Sequence, residues 1–246
     1  MNTIASLYLL ALAYINRAKP IPTKDEAPRM SDFAAAREHM VNGQLLPNKL
    51  TDDAVIKAMS TVPREEFLPK AMRPVAYVDE DLPIAEGRFL MEPMVFARLL
   101  QHAHIQPDDA VLDVGCLTGY SSAVLAQLSN VVMALEVDED MAAHATDVLI
   151  EKGADNAVVV TGALDVGYPE QAPFDVIVIE GAVEEVPEAL LNQLTPDGRL
   201  LAVELVDGVG VASLYTCKDG VKGVRRLFDA NIPALPGFER DVAFEF

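Results

Sequence analysis

Cations are scarce in this chain of 246 residues: 19 Lys and Arg stand against 38 Asp and Glu, a net charge of −19. A field of that sign repels phosphate backbones and anionic headgroups, so neither nucleic acid nor a charged membrane surface is expected as a partner. Cysteine is also rare. Cys116 and Cys217 lie far apart without metal-ligand spacing and read as two reduced thiols of a cytoplasmic protein. The four histidines offer no chelating pair, because His39 and His144 are isolated and His102 and His104, two apart on one predicted helix, point to different faces. No metal site is expected. The apolar run IASLYLLALAYI at 4–15 is too short for a membrane span, and with no Lys or Arg before it the case for a signal peptide is weak. Residues 16–29 are Pro-rich and charged, so 1–29 reads as an extension and linker ahead of a start at Met30-Ser31-Asp32.

What is present is enough apolar material, 51% of the chain, for one large α/β domain with its own core. The organising stretch is VLDVGCLTGYSSAVLA at 111–126. An apolar run carrying Asp113 ends in a turn with Gly115 and Gly119, and an apolar-periodic segment starts at Tyr120. Strand, glycine turn and helix in that order open a doubly wound sheet, in which the helix N-terminus and a side-chain-free turn let a ligand approach the backbone. Glycines at 115 and 119 with Leu117 between them make an incomplete fingerprint, enough for a nucleotide-type α/β domain.

The flanking pattern extends this unit. Helices are expected over 32–43 and 51–61, the second with Thr51 as N-cap and Asp52 and Asp53 in its first turn. Residues 63–90 are rich in proline without sustained period and read as an irregular wrap. Pro93 permits a helix over 94–105. Strands at 110–114, 131–136, 157–161, 174–180 and 199–206 then alternate with helices at 138–152 and 187–194, and a hairpin over 211–217 and 224–232 turns at Asp219-Gly220. Strand–helix alternation of this kind implies a mostly parallel, Rossmann-like sheet of seven strands, with a helical part over 30–107 and the core over 108–246. Glu180, Glu184 and Glu185 read as a charge run facing water at a helix start. Phe89 and Met91 read as packing residues.

Several segments, taken in order, resemble the protein-L-isoaspartate O-methyltransferase family: MVNGQLLPNKLTDDAVIKAMSTVPREEFLP at 40–69, YVDEDLPIAEG at 77–87, the glycine turn, 167–201, and RRLFDANIPALPGF at 225–238. The resemblance implies a class I methyltransferase fold with S-adenosylmethionine as donor and a protein or peptide isoaspartyl carboxylate as acceptor, methylated for repair. It places Asp113, Gly115 and Gly119 at the donor turn, Glu136 on the ribose hydroxyls, and the backbone of Ala163 and Leu164 at the adenine. The family's acceptor motif runs roughly G-Q-T-I-S-Q-P, and this chain has GRFLMEP at 87–93, so Phe89 stands at the Thr and Met91 at the Ser. Leu117 stands where the family turn has its middle glycine, and a leucine there is expected to crowd the donor. Ala163 follows Gly162 where the family has Asp, and Glu180 stands where the family has a small or hydroxyl residue. A diverged homologue with a filled pocket and a binding or assembly role is the alternative these departures raise.

Overall fold

The computed structural model describes residues 30–218 and 221–238. The 1–29 extension and the Asp219-Gly220 turn lie outside the described residues.

The sheet is built outward from β3 (Ala110–Val114), which pairs in parallel with β4 (Val131–Glu136) on one side and β6 (Phe174–Val183) on the other. β5 (Ala157–Thr161) closes one edge, and β7 (Leu194–Val206), β8 (Val209–Lys218) and β9 (Val221–Asp229) extend the other, giving the order β5-β4-β3-β6-β7-β8-β9. The first five strands in that order run parallel, and β8 and β9 are antiparallel to their neighbours. Strand order reverses at β3, and that is where an open α/β sheet leaves a crevice beyond its strand ends.

Side-chain alternation divides the core between the two faces of the sheet. Val111, Val176, Val178, Leu201 and Val203 pack on one side, while Leu112, Val114, Ile177, Ile179 and Leu200 pack on the other. The first side carries α2 (Asp53–Thr61), α3 (Pro93–Ala103), α4 (Tyr120–Ala126) and α5 (Glu139–Glu151), which follow α1 (Met30–Met40) in chain order. The second carries α6 (Glu188–Leu191) with Leu235 and Phe238 of the segment that follows β9, whose Ala230 and Ile232 pack on the first.

Several expected elements are corrected by their local chemistry. Asp52, not Thr51, caps α2, because its side chain accepts from the N–H groups of Ala54 and Val55. The Thr51 N–H turns instead to Gln101 Oε1. The helix expected over 187–194 is a single turn, because the Gln193 carbonyl accepts the Phe174 N–H at 2.7 Å and its side chain pins the loop at Val166 and Tyr168. His104 lies outside α3, in the left-handed region at φ 48°. The wrap at 63–90 holds a two-stranded hairpin of its own, β1 (Leu82–Ala85) against β2 (Arg88–Leu90), separate from the main sheet.

Buried Arg64 anchors that wrap. Its Nε donates to the Ala76 carbonyl at 2.8 Å and its Nη2 to the Met91 carbonyl at 2.7 Å, while the guanidinium lies 4.7 Å from the Tyr120 ring centroid. Burial pushes its pKa down, and the neighbouring Tyr120 offsets part of that effect.

Candidate active site

The strand ends at β3, β4 and β6 converge on the turn between β3 and α4. Gly115 takes φ 86° and donates to the Leu135 carbonyl, a backbone state that favours glycine. Gly119 takes φ 89°, and a Cβ there would meet Leu149 at 3.1 Å and Ala145 at 3.5 Å. It therefore serves close packing of α5 against the turn.

Asp113 is fully buried, and its Oδ2 accepts from Ser121 Oγ at 2.7 Å and Ser122 Oγ at 2.6 Å, tying α4 to β3. Burial raises its carboxyl to about 6 against the pull of the two serine hydroxyls, with nearby Glu136 adding to the rise. Its Oδ1 has no partner among the described residues.

Glu136, 0% exposed, closes β4. It sits about 20 residues beyond the glycine turn, as the ribose-binding acid of a dinucleotide fold does. Its carboxylate is saturated. Oε1 accepts from Arg88 Nη1 at 2.6 Å, Val137 N at 2.9 Å and Asp138 N at 3.2 Å; Oε2 accepts from Arg88 Nη2 at 2.8 Å and Leu117 N at 2.9 Å. Arg88 comes from β2, and its Nη2 lies 3.4 Å from where a Gly115 Cβ would stand, beside Leu235.

The crowding expected from Leu117 is thus misplaced. Its side chain, 2% exposed, lies in the core with Tyr120 and Leu149, and its backbone, at φ 52°, serves Glu136. Arg88 and Leu235 fill the space over the turn instead. Of the two residues expected at the adenine, Ala163 is exposed, and Leu164, 4% exposed, packs with Leu112 and Leu135 in the second core.

Around the 87–93 motif, where the resemblance puts the acceptor, a recess is lined by Asp81, Gly87, Phe89, Met91, Glu180, Gly181 and the segment 232–235. Met91 is buried and presents its thioether where the family motif has a hydroxyl. Glu180 does not face water as expected. It is 7% exposed, and its Oε1 has no hydrogen-bond partner among the described residues. Burial drives its pKa well above the carboxylate range, with Asp113 adding to the rise and Arg64 opposing it. Glu92, whose backbone N–H donates to Asp81, rises to about 7, first from burial and then from Asp81, Asp79 and Glu80. The segment after β9 roofs the recess, with Ala182 N donating to the Pro233 carbonyl and Leu235 N to the Ala182 carbonyl. Gly181 permits this, since a Cβ there would lie 2.7 Å from that of Leu235.

Reading the residues alone missed Arg88 and Leu235. The signal for Arg88 lay in the quoted motif, where one of the chain's few cations replaces an uncharged Gln directly after Gly87. Leu235 had no local signal, because its role comes from a bridge between Ala182 and Ala234, distant in sequence.

The reversal of strand order at β3, the glycine turn and the acid closing β4 define a class I methyltransferase-type α/β domain. Two solved structures share that fold. A protein-L-isoaspartate O-methyltransferase aligns at TM-score 0.71 and 24% identity over 82% of this chain and 67% of its own. A putative protein-L-isoaspartate O-methyltransferase from Plasmodium falciparum, in complex with S-adenosyl-L-homocysteine, aligns at TM-score 0.71 and 22% identity over 83% and 98%. In sequence, the family model described as protein-L-isoaspartate(D-aspartate) O-methyltransferase matches residues 36–218. A protein-L-isoaspartate O-methyltransferase of Koribacter versatilis is 41% identical over 175 residues, 71% of this chain and 79% of that protein. One of Methanoculleus marisnigri is 38% identical over 200 residues, 81% and 86%. The chain belongs to the protein-L-isoaspartate O-methyltransferase family. No helix among the described residues is long and apolar enough to cross a membrane.

Proposed function

We propose that the chain transfers a methyl group from S-adenosylmethionine to the free carboxylate of an isoaspartyl residue in a protein or peptide. The observation that supports this most is family membership across 36–218 together with a buried acid, Glu136, beside the glycine turn. The kinds of residue at the turn fit an adenosyl donor: Glu136 for the ribose hydroxyls, the backbone at Gly115 for close approach, and the N-terminus of α4 behind it. Arg88 stands within that space and has to leave it. When bound, the donor supplies an electrophilic sulfonium methyl group, which an acceptor carboxylate oxygen takes up. The chain's own contribution is alignment and dryness.

In the acceptor recess, Phe89, Met91 and the roof around Leu235 exclude water. Met91 has no O–H with which to orient a carboxylate. Glu180 also lines the recess, its burial favours the protonated form that carries an O–H, and its Oε1, without a partner among the described residues, makes it the group that positions the acceptor. Arg64 holds the recess wall through the Met91 carbonyl.

Calorimetric titration with S-adenosylhomocysteine, followed by methyl transfer to an isoaspartyl peptide, tests this reading. Binding and turnover above that of the matched aspartyl peptide are expected. Binding without any transfer would move the acceptor to another class, and absence of binding at millimolar ligand would leave the family relation as ancestry.

A further inference from the structure

The donor-side carboxylate already has a ligand, and that ligand belongs to the chain. Five N–H groups converge on Glu136, two of them from Arg88. A carboxylate offers about four lone-pair sites, so no acceptor capacity is left for a pair of ribose hydroxyls. The backbone donors from Leu117, Val137 and Asp138 are fixed by the turn and the start of α5. Of the four residues that supply these groups, Arg88 alone does so through a long side chain able to withdraw.

We infer that Arg88 is a resident occupant of the ribose position on Glu136, that the donor enters by displacing it, and that this residue therefore sets donor affinity. This inference rests on the donor reading above. The geometry supports exchange in three ways. Arg88 is carried on a two-stranded hairpin that forms its own sheet, so moving the hairpin breaks no pairing in the seven-stranded sheet. The hairpin turn is exposed at Glu86 and Gly87, and Gly87 takes φ 67°. Finally, Arg88 Nε is buried without a hydrogen-bond partner among the described residues, so the occupied state leaves one donor unsatisfied. A purely structural ion pair would account for the contact with Glu136. It would not account for a guanidinium filling the close-approach space over Gly115.

The test compares S-adenosylhomocysteine binding to the full chain and to Arg88→Gln, together with amide exchange across 82–90. Arg88→Gln is expected to tighten binding at least tenfold while lowering thermal stability. In the wild-type chain, the ligand is expected to speed exchange in the hairpin as the guanidinium is released. Equal affinity of the two chains, or a hairpin more protected when ligand is bound, would overturn the inference. Should Arg88→Gln fail to fold, the wild-type exchange measurement decides alone. If neither chain binds at millimolar ligand, the donor reading fails and this inference fails with it, an outcome distinct from equal binding.

Discussion

Two buried carboxylates lie on the strands flanking β3, Glu136 at the end of β4 and Glu180 within β6, and they have been treated in opposite ways. Glu136 on β4 is ringed by five donors, including a bidentate guanidinium. Glu180 on β6 keeps an oxygen with no partner and borders an open recess. A buried charge that is saturated contributes to holding the structure together; burial of an acid left short of partners favours its neutral form and leaves an oxygen open to a ligand. The crevice over Glu136 is closed by the chain's own Arg88, and the recess beside Glu180 is left chemically incomplete.

The sharpest way to break that comparison is Glu136→Ala. It leaves the Arg88 guanidinium buried without its counter-ion and removes the cap on three backbone N–H groups. A loss of about 3–5 kcal/mol is expected in denaturant unfolding; a loss near zero would mean that the pair is not carrying the turn.

Asp113 lies between the two acids and has a pH signature. Its carboxyl is raised in the folded state to about 6, so its stabilising contribution is present below the unfolded carboxylate range and is lost as pH rises through 6. A shift of that size corresponds to about 2–3 kcal/mol. Unfolding free energies measured from pH 4 to pH 7 should fall more steeply for the wild-type chain than for Asp113→Asn, and parallel curves would exclude Asp113 as the source.

Gly119→Ala probes the packing behind the donor turn. The substitution forces a side chain at φ 89° against Leu149, at an expected cost of about 2 kcal/mol, with a matching drop in thermal midpoint. An unchanged midpoint would show that α5 can give way there.

The smallest effect concerns Glu180. Because burial raises its pKa in the folded chain, ionised Glu180 costs the fold more as pH rises, so the stability of Glu180→Gln relative to wild type should grow with pH. For methyl transfer the same variant keeps an N–H donor, so activity is expected to persist to higher pH, whereas Glu180→Ala should lose about tenfold in kcat/KM. Identical pH profiles for wild type and Gln would remove Glu180 from the acceptor side.

The legible part of the fold was the part written in local period. The bounds of β4 at 131–136 and of β5 at 157–161 match the apolar runs VVMALE and AVVVT, and the glycine turn fell between β3 and α4 as its spacing implied. The irregular wrap was opaque because its order comes from one buried side chain: Arg64 satisfies carbonyls at Ala76 and Met91, and no periodicity encodes that. At the site, Glu136 could be named because strand-end acids have a positional logic. Its partner could not, since Arg88 reaches it from 48 residues upstream through tertiary folding alone. Glu180 was misjudged for a related reason. A run of three glutamates suggests solvent, but β6 continues through Val183 and carries the first of them inward.

Among the described residues β9 is the far border of the sheet, and it carries Arg225 and Arg226 along a strand exposed over most of its length, while Lys222 pairs with Glu188. An unpaired strand edge is a template for another strand, and a second copy docking there would set these arginines beside their own counterparts. In a chain so poor in positive charge, two arginines on one border set like charges against each other wherever two such borders would meet.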